Sequence, residues 1–187
     1  MFLTERFDQA LVFARQRHND EVRKGSSVPF ISHPLSTAAL VLEAGGDEDQ
    51  AIAGLLHDML EHGKATYQEL VELFGERVAR IVRECSDSET TPRPPWRERK
   101  ERYLASLPHH PDSLLVSCAD KVHNARSILS DYRRLGEKLW ERFNPDSDIL
   151  WYYRTLADAF LAIGVPLADE FERTVTELER LVRTNDS

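Results

Sequence analysis

An all-α fold of about nine or ten helices is what this sequence predicts, and three observations predict it. Apolar residues recur at helical spacing along most of the chain. The two-residue alternation of a half-buried strand is scarce. Gly45, Gly46, Gly63, Pro108, Pro111, Gly136, Pro145 and Pro166 fall where one periodic stretch gives way to the next.

The elements follow in order. Residues 2–18 place Phe7, Leu11 and Ala14 on one face with Ala10 beside them, the pattern of a core-facing helix. NDEVRKGSSVPFISHP, residues 19–34, is a loop by its Gly, Ser and Pro content. Pro34 suits the first turn of the next helix, and Gly45–Gly46 stop it. A third helix is predicted from near Asp47 to Gly63, a good helix-ending residue. Thr66 and Glu69 have the spacing of a capping box and open a helix that runs to Phe74–Gly75, and residues 76–86 continue helically. SDSETTPRPPW, residues 86–96, is the one long breaker-rich stretch and reads as a flexible loop. Helices are then predicted at about 97–107, 112–131, 136–143, 147–163 and 166–184.

Length and composition narrow the function classes. A chain of 187 residues buries a proper core as one domain, without disulfides or a structural metal. A net charge of −8 argues against a surface built for nucleic acid, yet leaves room for a small anion in a local basic pocket. Cys85 and Cys118 each stand in an apolar helical stretch and read as reduced, buried thiols. The first residues do not resemble a secretory signal, and no apolar run approaches the roughly 20 residues needed to span a bilayer. The expectation is a cytoplasmic protein with no membrane partner; its oligomeric state is not legible, and a homodimer stays open.

Polar groups interrupt three apolar segments, and burying such groups unsatisfied costs free energy. In AGLLHDMLEHG, residues 53–63, His57 and Asp58 are neighbours on one helix flank, and Glu61 lies one turn on. In LLVSCADKVHNARSIL, residues 114–129, Asp120 follows an apolar run, with His123 and Asn124 one turn later. His33 precedes Pro34 between apolar neighbours Phe30, Ile31 and Leu35. Two imidazoles and two carboxylates, His33, His57, Asp58 and Asp120, make a mixed nitrogen and oxygen set suited to Mn, Fe or Zn. On the residues alone, that reading stands level with one in which each group is a separately satisfied core residue.

The order SHP, LLHDMLE, ADKVHNARSI resembles the HD-domain metal-dependent phosphohydrolases. The resemblance is closer to the hydrolase domain of the Rel/Spo enzymes and the small stand-alone alarmone hydrolases. RKGSSVPFISHP is similar to that branch's Arg-Lys loop, and YQELVELFGERVARIVRECSD and RKERYLASL to segments further on. It covers roughly residues 5–131. It implies one HD domain over 1–187, with core motifs at 23–131 and helices at 136–184 packed against them. It implies His33, His57, Asp58 and Asp120 as ligands of one divalent ion, typically Mn²⁺, with Fe, Zn, Co and Ni compatible. Glu61 then positions or activates water; Arg23, Lys24 and Ser26 meet the base and phosphates of a nucleotide; Asn124 contacts substrate beside the metal. The implied reaction removes the 3′-pyrophosphate from a guanosine alarmone such as (p)ppGpp. That chain length leaves no room for a synthetase as well.

One departure stands out. The alarmone hydrolases carry Glu followed by Asp where this chain reads Glu61-His62. His62 takes over as base or acid, or the substrate is another nucleotide phosphate or phosphodiester, or His62 merely faces the negative end of a helix in a non-catalytic nucleotide- or metal-binding regulator. His123 reads as a surface residue or one behind the ligands, and His18, His109 and His110 belong to no constellation. Trp96 reads as a loop anchor. Arg93, Arg97, Arg99, Lys100 and Arg102, interspersed with Glu98 and Glu101, read first as a solvated helix face and only second as phosphate contacts.

Overall fold

The computed structural model describes residues 2–88 and 92–185, and within them the regular structure is helical. The helices are α1 (Glu5–Arg17), α2 (Ser32–Glu43), α3 (Glu48–Leu56), α4 (Tyr67–Phe74), α5 (Glu76–Cys85), α6 (Trp96–Ser106), α7 (Leu114–Leu135), α8 (Ile149–Ile163) and α9 (Ala168–Asn185). Short 3-10 segments at Leu107–His109 and Gly136–Arg142 flank α7. Among the described residues no helix is long and apolar enough to cross a membrane.

Local signals set most of these boundaries. The Thr4 hydroxyl accepts the Arg6 amide and starts α1. Asp47 and Gln50 form a reciprocal capping box on α3, and Thr66 accepts the Glu69 amide at the head of α4. Helix α7 is the spine. It is buried continuously from Leu115 to Asp120 and packs against α2, α3, α8 and α9. Cys118 is buried in this core, and burial pushes its thiol up to about 12, as expected of an inert thiol.

Two departures from the expected boundaries bear on the site. Helix α2 begins two residues before Pro34, because the Phe30 carbonyl takes the His33 amide and the Ile31 carbonyl takes the Leu35 amide. His33 therefore stands in the first turn of a helix and not in a loop. The predicted helix over 47–63 ends at Leu56, and residues 57–63 run on as successive turns. The Gly54 carbonyl, which the Asp58 amide would take in a continuing helix, lies 2.9 Å from Nδ1 of His57. The ladder gives way there to three-residue bonds such as Met59 to Leu56.

Gly54 also brings the site together. A Cβ at this position would lie 3.1 Å from the Ala38 Cα and 3.2 Å from its amide nitrogen. Its absence lets α3 lie against α2, so that His57 and His33 face each other.

The described parts of the stretch 86–96 are less loose than its composition suggests. Residues 89–91 lie outside the described part, but Asp87 is buried against Arg99 and Lys100, and Trp96 opens α6 with its ring edge-on to Trp151 and Tyr152. The Trp96 anchor thus fastens α6 to α8. The basic run on α6 divides accordingly. Arg97 and Arg102 pair with Glu101 and Glu98 at the surface, whereas Arg99 and Lys100 turn inward to Asp87.

Candidate metal centre

Four donor atoms converge beneath α7. Nε2 of His33 and Nε2 of His57 are 3.1 Å apart. Oδ2 of Asp58 lies 3.3 Å from the His57 nitrogen and 3.6 Å from that of His33. Oδ1 of Asp120 lies 3.1 Å from the His33 nitrogen and 3.6 Å from that of His57. His33, His57 and Asp58 present donors that all lie within 4.8 Å of one another, and Asp120 reaches the two imidazoles from its own side. These separations suit neighbouring ligands on one first-row divalent ion, whose bonds to nitrogen and oxygen run about 2.0–2.2 Å. The donor set therefore fits a divalent metal ion.

Hydrogen bonds behind the donors aim them inward. His57 gives its Nδ1–H to the Gly54 carbonyl, which turns Nε2 toward the cluster. Nδ1 of His33 meets Nδ1 of His123 at 2.8 Å. Asp120 accepts from Asn124 Nδ2 at 2.5 Å on the oxygen that faces the imidazoles, and from Lys121 Nζ on the other. Asn124 in turn accepts from Arg23 Nη2 at 2.9 Å, so the loop before α2 is tied to a member of the cluster.

The electrostatics describe an anionic, proton-holding pocket. Burial would raise the Asp120 carboxyl, but the Lys121 ammonium and the two imidazoles hold it well below the usual range. Asp58 is also lowered: burial opposes this, and the His57 and His33 rings outweigh it. Burial would likewise push His57 down, yet Asp58 and Asp120 carry it up to about 9. His33 goes the other way, pushed down by burial with only partial relief from Asp120. The pair thus holds one proton, on His57. Burial and the neighbouring His33 and Arg23 lower His123 to about 4, so it is neutral near pH 7.

A cavity of about 1310 Å³ adjoins the cluster through His123 and Asn124. Arg23, Lys24 and Ser26, the predicted substrate contacts, line it together with His62. Its far wall comes from the second half of α7 and beyond, including Arg134, Arg142 and Tyr153. The Gly25 apex of the loop rests on Arg142, whose Nε would lie 2.5 Å from a Cβ at that position, and at φ +72° the backbone favours glycine. Arg142 and Tyr153 escaped sequence reasoning because no motif marks them; the resemblance ends near residue 131.

The two proposed catalytic side chains diverge. Glu61 is turned to Arg93, which donates to its Oε1 at 3.0 Å and to its carbonyl at 2.6 Å. His62 faces the cavity, beside Phe30 and 6.4 Å from the His18 ring. Among the described residues neither Glu61 nor His62 hydrogen-bonds to the four-donor cluster. His18, which the sequence left without a partner set, is buried and pairs with Glu21 at 2.6 Å. Glu21 also meets Lys64, and this joins the loop to the turn that carries His62.

Relatives with the same core exist. Xenopus tropicalis has a protein named guanosine-3′,5′-bis(diphosphate) 3′-pyrophosphohydrolase MESH1 that is 36% identical over 124 residues, 64% of this chain and 68% of that protein. The bifunctional (p)ppGpp synthase/hydrolase SpoT of Escherichia coli K12 is 30% identical over 152 residues; the match takes in 75% of this chain and only 21% of SpoT. Among solved structures, one reported for a metazoan ortholog of SpoT that hydrolyses ppGpp superposes with a TM-score of 0.74 at 21% identity, over 99% of this chain and 98% of that one. The structure of lmo0812 from Listeria monocytogenes EGD-e gives 0.67 at 27% identity, over 76% and 96%. The HD-domain signature matches residues 10–143, a span that holds all four converging donors. By that match the chain belongs to the HD-domain family.

Proposed function

We propose that this chain is a metal-dependent phosphohydrolase that removes the 3′-pyrophosphate from guanosine-3′,5′-bis(diphosphate), and that residues 1–187 act as one domain. The observation that carries the reading is the convergence of two imidazole and two carboxylate donors beside a cavity lined with Arg and Lys. The names of the relatives support the substrate.

In this reading His33, His57, Asp58 and Asp120 hold one divalent ion; nitrogen and oxygen donors admit Mn²⁺, Fe, Zn, Co or Ni, and the resemblance to the alarmone hydrolases puts Mn²⁺ first. Such an ion neutralises phosphate oxygens and makes water acidic enough to serve as a nucleophile at neutral pH. The protein's own groups do the rest. Arg23 and Lys24 bind phosphate or base from the loop, Arg23 as the better bidentate partner. Ser26 holds that loop by donating to the Arg23 carbonyl at 3.0 Å. Asn124 couples Arg23 to Asp120. Glu61 accepts a proton from the attacking water, once Arg93 turns to the substrate. His62 stands in the cavity wall as the second proton-handling group.

Incubation with ppGpp and a panel of nucleotides, with and without Mn²⁺, tests the reading by its products. Pyrophosphate released only with the metal supports it. Orthophosphate, or cleavage of a different nucleotide, supports a second reading as another nucleotide phosphatase or phosphodiesterase, which the His62 imidazole in the cavity wall favours. Tight binding without products marks a regulator. His62→Asp is expected to leave Mn²⁺ affinity intact and to change turnover or substrate preference; unchanged kinetics on every phosphate substrate would remove His62 from the mechanism.

A further inference from the structure

The contact between His33 and His123 constrains both rings. Their Nδ1 atoms are 2.8 Å apart, so one must carry a hydrogen and the other must accept it. Nε2 of His33 faces His57, Asp58 and Asp120. A nitrogen that offers its lone pair to a cation carries no hydrogen, so that of His33 resides on Nδ1. His33 is then the donor, and Nδ1 of His123 the acceptor. A neutral imidazole has a single N–H, which for His123 must be on Nε2.

That N–H is well placed. The two rings lie side by side, centroids 4.9 Å apart and planes at 33°, so Nε2 of His123 is on the side of its ring away from His33. It has no hydrogen-bond partner among the described residues, and His123 lines the cavity with Arg23 and Lys24. The backbone beneath it is held, since Ser127 donates to the His123 carbonyl at 3.0 Å. A fixed donor flanked by cations is chemistry for an anionic oxygen.

We propose that His123 is a positioning residue with two faces: Nδ1 fixes the tautomer and orientation of His33, and the Nε2–H that this bond enforces is offered to a phosphate oxygen of the substrate. The proposal rests on the metal-dependent reading above. It explains why a histidine, with two differently committed nitrogens, stands where the ligand set itself needs none.

Substitution separates the two faces. Asparagine keeps an acceptor at the level of Nδ1 and has nothing at the reach of Nε2; phenylalanine keeps the ring and removes both groups. Mn²⁺ affinity of the apo-protein, read by calorimetry, is expected to fall about 10–100-fold in His123→Phe, as for other partners of metal-bound histidines. In His123→Asn the affinity returns to within a few-fold of wild type, while KM for ppGpp rises about tenfold or more with kcat changed far less. Circular dichroism shows whether each variant is folded, and the KM of His123→Asn tests the cavity face even where His123→Phe is not. Wild-type Mn²⁺ affinity in folded His123→Phe, or wild-type KM in His123→Asn, overturns the proposal. A wild-type protein that binds no Mn²⁺ overturns the metal-dependent reading itself, an outcome distinct from the other two.

Discussion

Two buried carboxylate clusters lie in the same core and are balanced in different ways. Asp87, 4% exposed at its side chain, has one oxygen on Arg99 and the other 2.5 Å from Lys100 Nζ. Arg99 is held again by the Pro94 carbonyl, and the Lys100 ammonium sits 4.7 Å from the Tyr152 ring centroid. Asp58 and Asp120 together have one permanent cation, Lys121, and two imidazoles. Around Asp87 the Arg99 guanidinium is a permanent positive charge, and Asp87 opposes the burial that lowers the Lys100 ammonium. Around Asp58 and Asp120 part of the positive charge is a proton on His57, which can leave. The first arrangement fastens the stretch after α5 to α6. The second can trade a proton for a metal ion, because the nitrogen that gives up the proton regains a lone pair. A buried charge with permanent partners reads as architecture; a buried charge balanced by a titratable group reads as a site.

The largest expected effect comes from breaking the exchangeable cluster. His57→Ala removes one donor and the group that holds the proton. Turnover should fall by about 10³-fold, or about 4 kcal/mol in the barrier, together with metal content measured by atomic absorption. A variant with full metal occupancy would show that His57 is not a ligand.

Breaking the permanent cluster should cost stability instead. Asp87→Ala leaves Arg99 and Lys100 poorly exposed and without their counter-charge. Removing one partner of a buried pair costs about 3–5 kcal/mol, and the slight exposure of both cations places the expectation at about 3. In a protein of this size that lowers Tm by roughly 6–12 °C. Mn²⁺ affinity should be that of wild type. A loss of metal affinity equal to that of His57→Ala, in folded protein, would mean that the two clusters are one functional unit.

The same contrast explains what was legible in the sequence. His57 and Asp58 stand out because they interrupt an apolar run, and His33 and Asp120 because they do the same elsewhere; polarity inside a periodic pattern is a local signal. The exchange of partners around Asp87 is not local. Nothing within SDSETTPRPPW indicates that Arg99 and Lys100, one turn into the next helix, fold back onto it. The end of α3 is hidden from the sequence for a related reason, since a side chain takes the Gly54 carbonyl and helical periodicity carries no trace of that. Arg142 and Tyr153 reach the cavity only because α7 runs a turn past residue 131 and the chain then doubles back. The resemblance carries the roles proposed for Arg23, Lys24 and Asn124, which spacing alone does not distinguish from solvated charges and a polar helix position.

The smallest effect per step is the most direct reading of proton exchange. With His57 raised to about 9, the apo-protein at pH 7 has a proton where a metal ion needs a lone pair. Binding must expel it, so apparent Mn²⁺ affinity should rise about tenfold, or about 1.4 kcal/mol, per pH unit from near pH 7 and level off near pH 9. Calorimetry in buffers of different ionisation enthalpy should count one proton released per ion at pH 7. Stability of the apo-protein should follow the opposite course. A raised pKa means that protonated His57 stabilises the fold fully below its ordinary value of 6.5, and that this contribution is lost as pH climbs through 9. Asp58, Asp120 and His33 face His57, and Lys121 holds the other oxygen of Asp120; the two carboxylates are lowered and Lys121 is raised, so all three stay charged across that window while His33 stays neutral. Asp87→Ala should leave the slope of affinity against pH unchanged, because Arg99 and Lys100 pair with Asp87 and not with the four donors. An affinity independent of pH between 7 and 9 would place the proton elsewhere, and with it the distinction between the two clusters.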